Sequence, residues 1–81
     1  MEHYVVILDW STESECDVDI IGVAHSMEEA KELFKQQLVT EKEITEREGW
    51  DTFEETEDFY EAYEYGSYND GHSRLWIQGV N

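Results

Sequence analysis

Ser26 to Glu48 constrains this chain more than any other stretch, because it reads as a helix that must find a sheet to lie on. Ser26 and Glu29 form a capping box. The hydroxyl accepts a free backbone N–H of the first turn, and the carboxylate reaches back toward the cap. Glu28 and Glu29 also suit the positive end of the helix dipole. Met27, Ala30, Leu33, Phe34, Leu38 and Ile44 then form an apolar stripe on one side. Gly49 supplies the left-handed residue that stops the helix, and Trp50 is placed to fold back on Ile44. At ~1.5 Å per residue the helix is about 33 Å long. A sheet of four strands is narrower than that, so the second half is expected to project or to break near Thr40.

Strand-forming runs flank the helix. His3 to Trp10, HYVVILDW, is rich in β-branched and aromatic residues, and its continuous run Val5 to Leu8 fits a central strand covered on both faces. Asp17 to Ala24, DVDIIGVA, alternates until a change of phase just before Gly22, where a bulge or bend is expected. The two runs make a hairpin across the polar connector Ser11–Cys16. Beyond the helix, Asp51–Asp58 reads as an acidic loop or a short helix, since Thr52 and Glu55 form a second candidate capping box. Phe59–Tyr65 fits a helix and a strand alike; the strand is preferred because the Gly66–Gly71 turn leads into His72–Val80. In that last strand Leu75 and Ile77 share one face, and Arg74, Trp76 and Gln78 share the other. The fold expected is α+β: a single small acidic domain over residues 1–81, order β-β-α-β-β, with a four-stranded antiparallel sheet and one long helix packed on one face.

Charge narrows the function. Five basic residues against 21 acidic ones leave a net charge of −16. Direct binding to nucleic acid or to an anionic membrane is disfavoured by repulsion. A basic partner is favoured, and a nucleic-acid-binding protein is the commonest kind. A solvated acidic face that only keeps the chain soluble is the plain competing reading. The single cysteine, Cys16, allows no internal disulfide, which fits a reducing cytosol. Met1 is followed by Glu2 and His3, not by a basic region, and no apolar run approaches membrane-spanning length. A cytoplasmic location in a bacterial cell, away from membranes, is expected.

The stretch Glu48–Ser73 carries nine of the 21 acids and four of the five tyrosines, without Lys or Arg. Carboxylates on a rigid surface can occupy the places that phosphates take on a nuclease, often through bidentate arginine pairing. Tyrosines can stack on guanidinium groups or on residues that normally stack bases. The candidate partner-binding residues are Asp51, Glu54, Glu55, Glu57, Asp58, Glu61 and Glu64, with Tyr60 and Tyr63. Such mimicry requires the acids to lie on one contiguous face.

No metal, cofactor or catalytic motif accompanies them. Asp17-Val18-Asp19 and Asn69-Asp70-Gly71 do not continue into a calcium loop. His3, His25 and His72 lack zinc-ligand spacing. The serines have no recognisable base, and a chain this short has little room for a cleft between paired carboxylates. A non-enzymatic protein without cofactor is expected.

YVVILDW, DIIGVAHSMEEAKELF and NDGHSRLWIQ resemble a group of small acidic proteins of phages and mobile elements of Gram-positive bacteria. The shared outline is a first strand ending in Trp, a second ending in Gly-Val, a Ser-capped helix and a late His–Arg strand. In size and charge the chain is also similar to anti-CRISPR and anti-restriction nucleic-acid mimics. That resemblance implies an inhibitor of a Cas or restriction nuclease. The alternative is a small cytosolic interaction module without mimicry, homodimeric through its sheet face or an edge strand. Trp76 becomes an interface candidate if its face is not under the helix.

Overall fold

The structure, a computed structural model, describes residues 3–11, 15–63 and 71–80. The elements follow in the order β1 (His3–Ser11), β2 (Cys16–Ala24), α1 (Met27–Arg47), β3 (Asp51–Glu55), β4 (Phe59–Tyr63) and β5 (His72–Val80). They form one α+β unit with a five-stranded sheet in the order β2-β1-β5-β4-β3. Every neighbouring pair is antiparallel. The helix, the antiparallel sheet and the strands at either end agree with the sequence. The count of four strands does not.

The extra strand is β3, where an acidic loop or a short helix was expected. Thr52 and Glu55 do not cap a helix; they pair across to Ala62 and Tyr60 of β4. The reason lies in the next three residues. The Thr56 N–H donates to the Phe59 carbonyl at 2.8 Å, and the Thr56 hydroxyl donates to the Asp58 carboxylate at 3.0 Å. This local bonding closes a turn, and the turn returns the chain as a hairpin. Alternation in β3 is hidden because a bulge falls between Thr52 and Glu54 and because its side chains are all exposed.

The helix begins as its capping box requires. The Glu29 N–H donates to the Ser26 hydroxyl at 3.2 Å, while the Glu29 carboxylate accepts from the His25 N–H at 3.4 Å. The helix runs unbroken through Thr40, so no break occurs there. It ends in a Schellman motif: Trp50 N–H to Thr45 carbonyl at 2.8 Å, Gly49 N–H to Glu46 carbonyl at 3.2 Å, with Gly49 at φ 77°. Trp50 then closes on Gly71, just before β5, where an added Cβ would lie 2.5 Å from the indole ring.

The core lies between α1 and one face of the sheet. Val6 and Leu8 of β1, Ala24 of β2, Tyr60 and Ala62 of β4 and Leu75 of β5 meet Ala30 and Phe34 of the helix. Each large side chain so buried contributes ~1.5–3 kcal/mol. Tyr4, Trp10, Ile21, Leu33, Leu38 and Ile77 pack around this centre. The helical stripe differs from expectation in its second half. Glu41 and Thr45 are buried and Ile44 is not, because seven residues from Phe34 return the helix to the same side at Glu41. The Gln37 side-chain amide donates to Glu41 at 3.0 Å, and Thr45 shares a 2.8 Å hydrogen bond with the Tyr60 hydroxyl. Ile21 is the extra residue at the bulge in β2, opposite the Val6–Ile7 step. It sits just before Gly22, over which Leu33 packs closely.

Candidate functional site

Side chains directly opposite in adjacent strands point to the same side, so the register assigns each candidate to a face. Tyr60 and Ala62 face the helix, hence Glu55 and Thr52 do too. Glu61 and Tyr63 point the other way, with Glu54 and Asp51 beside them. Glu57 and Asp58 occupy the turn. The acids therefore wrap the edge of the β3–β4 hairpin instead of lying on one flat face. Tyr60 does not belong with them: it is fully buried and bonded to Thr45. Its place in the alternation, opposite Phe59 and Glu61, was the available signal. Glu64 lies outside the described residues.

Several of these carboxylates are already engaged. Lys42 bonds Glu55 at 2.9 Å, and Lys31 approaches Glu57 at 3.3 Å. His72 pairs with Glu61. Asp58 is held by Thr56. Lys42 is pushed above its ordinary value by the hydrogen bond to Glu55, and further by the charge of that carboxylate. Asp51 and Glu54 are exposed and make no ion pair among the described residues. Glu54 stands opposite Glu61, an unfavourable like-charge pair. Residues 51–63 hold six acids and no Lys or Arg. Phe53 and Tyr63 add an aromatic contact with ring centres 5.3 Å apart.

The sheet face away from the helix has a second character. Across it run rows set by the register. Glu54, Glu61, Arg74, Asp9 and Val18 form one row, and Phe59, Trp76, Ile7 and Ile20 form the next. Gln78, Val5 and Val23 follow. The Arg74 guanidinium donates to Asp9 at 2.6 Å and stacks over Trp76 at 5.4 Å. Below that pair the rows contain no carboxylate and are apolar except for Gln78. Trp76 thus lies on the uncovered face.

Cavities flank the helix among the described residues. One, of about 310 Å³, lies between the end of α1 and the sheet, lined by Leu8, Trp10, Ile44 and Trp50 with Glu41, Thr45 and Ser73. Another, of about 250 Å³, lies between α1 and the β3–β4 turn. No group of three or more His, Cys, Asp or Glu able to hold a metal occurs among the described residues. None of their helices is long and apolar enough to cross a membrane.

The chain matches no protein-family model, and no curated protein or solved structure shows significant similarity to it.

Proposed function

We propose that this chain is a non-enzymatic inhibitor that engages a basic, nucleic-acid-binding protein through the β3–β4 hairpin. The supporting observation is the exposure of all of β3 at the sheet edge, with Asp51 and Glu54 making no ion pair among the described residues and the hairpin holding no Lys or Arg of its own. An exposed edge lets carboxylates from both hairpin faces enter a basic groove, as a single strand of nucleic acid does. Glu55 and Glu57 form the inner flank, already ordered by Lys42 and Lys31. Asp51, Glu54 and Asp58 form the outer contact, with Phe53 and Tyr63 placed to stack on guanidinium groups. The partner class is a Cas or restriction nuclease in the bacterial cytoplasm, in keeping with the resemblance to small acidic phage proteins. No cofactor is needed for this action.

The test is competition. Purified chain is titrated against a panel of Cas and restriction nucleases carrying labelled nucleic acid, at 50 and 500 mM salt. Displacement at low salt that fades at high salt supports the reading, because exposed charge pairing is screened. The double variant Asp51→Lys, Glu54→Lys should lose displacement without losing the fold. Displacement by none of the panel, or displacement untouched by that variant, sinks it.

A further inference from the structure

We infer that the uncovered face of the sheet is a homodimer interface, in which two copies pack β2, β1 and β5 face to face. The inference stands independently of the acidic hairpin. Val18, Ile20 and Val23 of β2 are 58%, 60% and 53% exposed. The register sets Ile20 beside Ile7, Val23 beside Val5 and Val18 beside Asp9 of β1, and Ile7 beside Trp76 of β5. No element among the described residues packs on this side, since the helix covers the other. A contiguous apolar patch of this kind marks an interaction surface.

A second copy is the occupant that the charge distribution fits. The chain carries −16 overall, yet the rows from Phe59 to Ile20 and from Gln78 to Val23 hold no ionised side chain. Asp9, the nearest carboxylate on β1, is neutralised by Arg74. So highly charged a molecule can approach its own copy closely only through such a face, because interface cores are depleted of charge. A basic partner would find no complement there. Size agrees as well. The nine-residue strands β1, β2 and β5, at ~3.3 Å per residue and ~4.8 Å spacing, give roughly 900 Å² in total for two copies, the low end of interface sizes and the range of a weak dimer. Two-fold aligned packing of sheets at ~10 Å places the aliphatic rows against each other.

The sheet edges do not offer the same opportunity. The free edge of β3 carries Asp51, Glu54 and Glu55, which would oppose their own copies. The free edge of β2 is broken by the bulge at Ile21.

Sedimentation equilibrium of the full chain, from 5 to 500 µM and at 50 and 500 mM salt, tests this. The wild type should reach twice the 9.6 kDa chain mass, and the dimer should strengthen with salt as the repulsion between copies is screened. Ile20→Glu should weaken association at least ~tenfold by removing buried apolar area and adding charge. Val18→Glu serves as a second variant on the same face. Val39→Glu, at an equally exposed position on the helix, should leave the dimer intact. Circular dichroism of each variant confirms folding. A wild type that stays monomeric at 500 µM in high salt overturns the inference, as would occupation of the face by a different protein alone. A dimer that survives both β2 variants, or is broken by Val39→Glu, overturns it equally.

Discussion

Asp9 and Arg74 stand directly opposite each other on β1 and β5, and their side chains close into an ion pair of 2.6 Å at the centre of the open sheet face. Arg74 is one of five basic residues in the chain, and its guanidinium also covers the Trp76 ring. The pair is partly exposed, at 42% and 25%, so solvent screening keeps its value modest. Replacing Arg74 by Met should cost about 1 kcal/mol, from the lost pair and the Asp9 charge left behind. Urea unfolding of Arg74→Met, Asp9→Asn and the double variant should give a coupling of ~0.5–1 kcal/mol. A coupling of zero would mean that the arginine acts only through its packing on Trp76.

Tyr60 joins the sheet to the helix by its hydrogen bond to Thr45, fifteen residues away. Tyr60→Phe keeps the ring and removes the hydroxyl. Thr45 still donates to the Lys42 carbonyl at 3.3 Å, so the loss should be ~1 kcal/mol. Tyr60→Ala opens a cavity and should cost ~3–5 kcal/mol. Because the ring is buried, Tyr60→Phe should leave any partner binding unchanged. A binding defect in a folded Tyr60→Phe protein would contradict the assignment of Tyr60 to the core.

The sequence made some of this plain and concealed the rest for identifiable reasons. The capping box at Ser26, the stop at Gly49 and the alternation of Leu75 and Ile77 against Arg74 and Trp76 are local signals, and they hold. The bulge before Gly22 was legible from the change of phase. Strand β3 was not, because a two-versus-one bulge and an all-exposed, carboxylate-rich strand erase the period that marks a strand. Thr45 entered the core for a tertiary reason, the Tyr60 hydroxyl fifteen residues away, while Glu41 is satisfied one helical turn back by Gln37. At the candidate site, the clustering of acids could be read from the chain. Their division between two faces of a hairpin depended on the register of β3 against β4.

Lys42 gives a pH dependence whose sign follows from its pairing. The hydrogen bond and charge of Glu55 raise it above the ordinary lysine value of 10.5. A group raised on folding adds stability below its unfolded value and loses it as pH climbs through the folded one. The contribution is therefore intact at neutral pH and disappears only in strongly alkaline solution. Relative to Lys42→Met, the wild type should hold a constant stability advantage from pH 6 to about 10 and lose it above that. Melting temperatures across this range check the point; an advantage lost near neutrality would assign the effect to another group.

Glu54 offers the sharpest separation between a working surface and a solvated one. It faces Glu61 across the hairpin, so Glu54→Gln relieves a like-charge contact and should stabilise the fold by ~0.2–1 kcal/mol. The same change removes one of the three hairpin acids, Asp51, Glu54 and Asp58, that make no ion pair among the described residues, and should weaken capture of a basic partner several-fold if that partner reads the outer strand. Glu57→Gln makes the comparison fair: it breaks an exposed contact with Lys31 and should be near neutral for stability. Thermal melts and salt-dependent binding measured on the same two variants decide the matter. A gain in stability with a loss of binding at Glu54 alone identifies the strand as the contact surface. A gain in stability with binding untouched leaves the acids of β3 as solvated charge and moves the search for a partner site elsewhere on the chain.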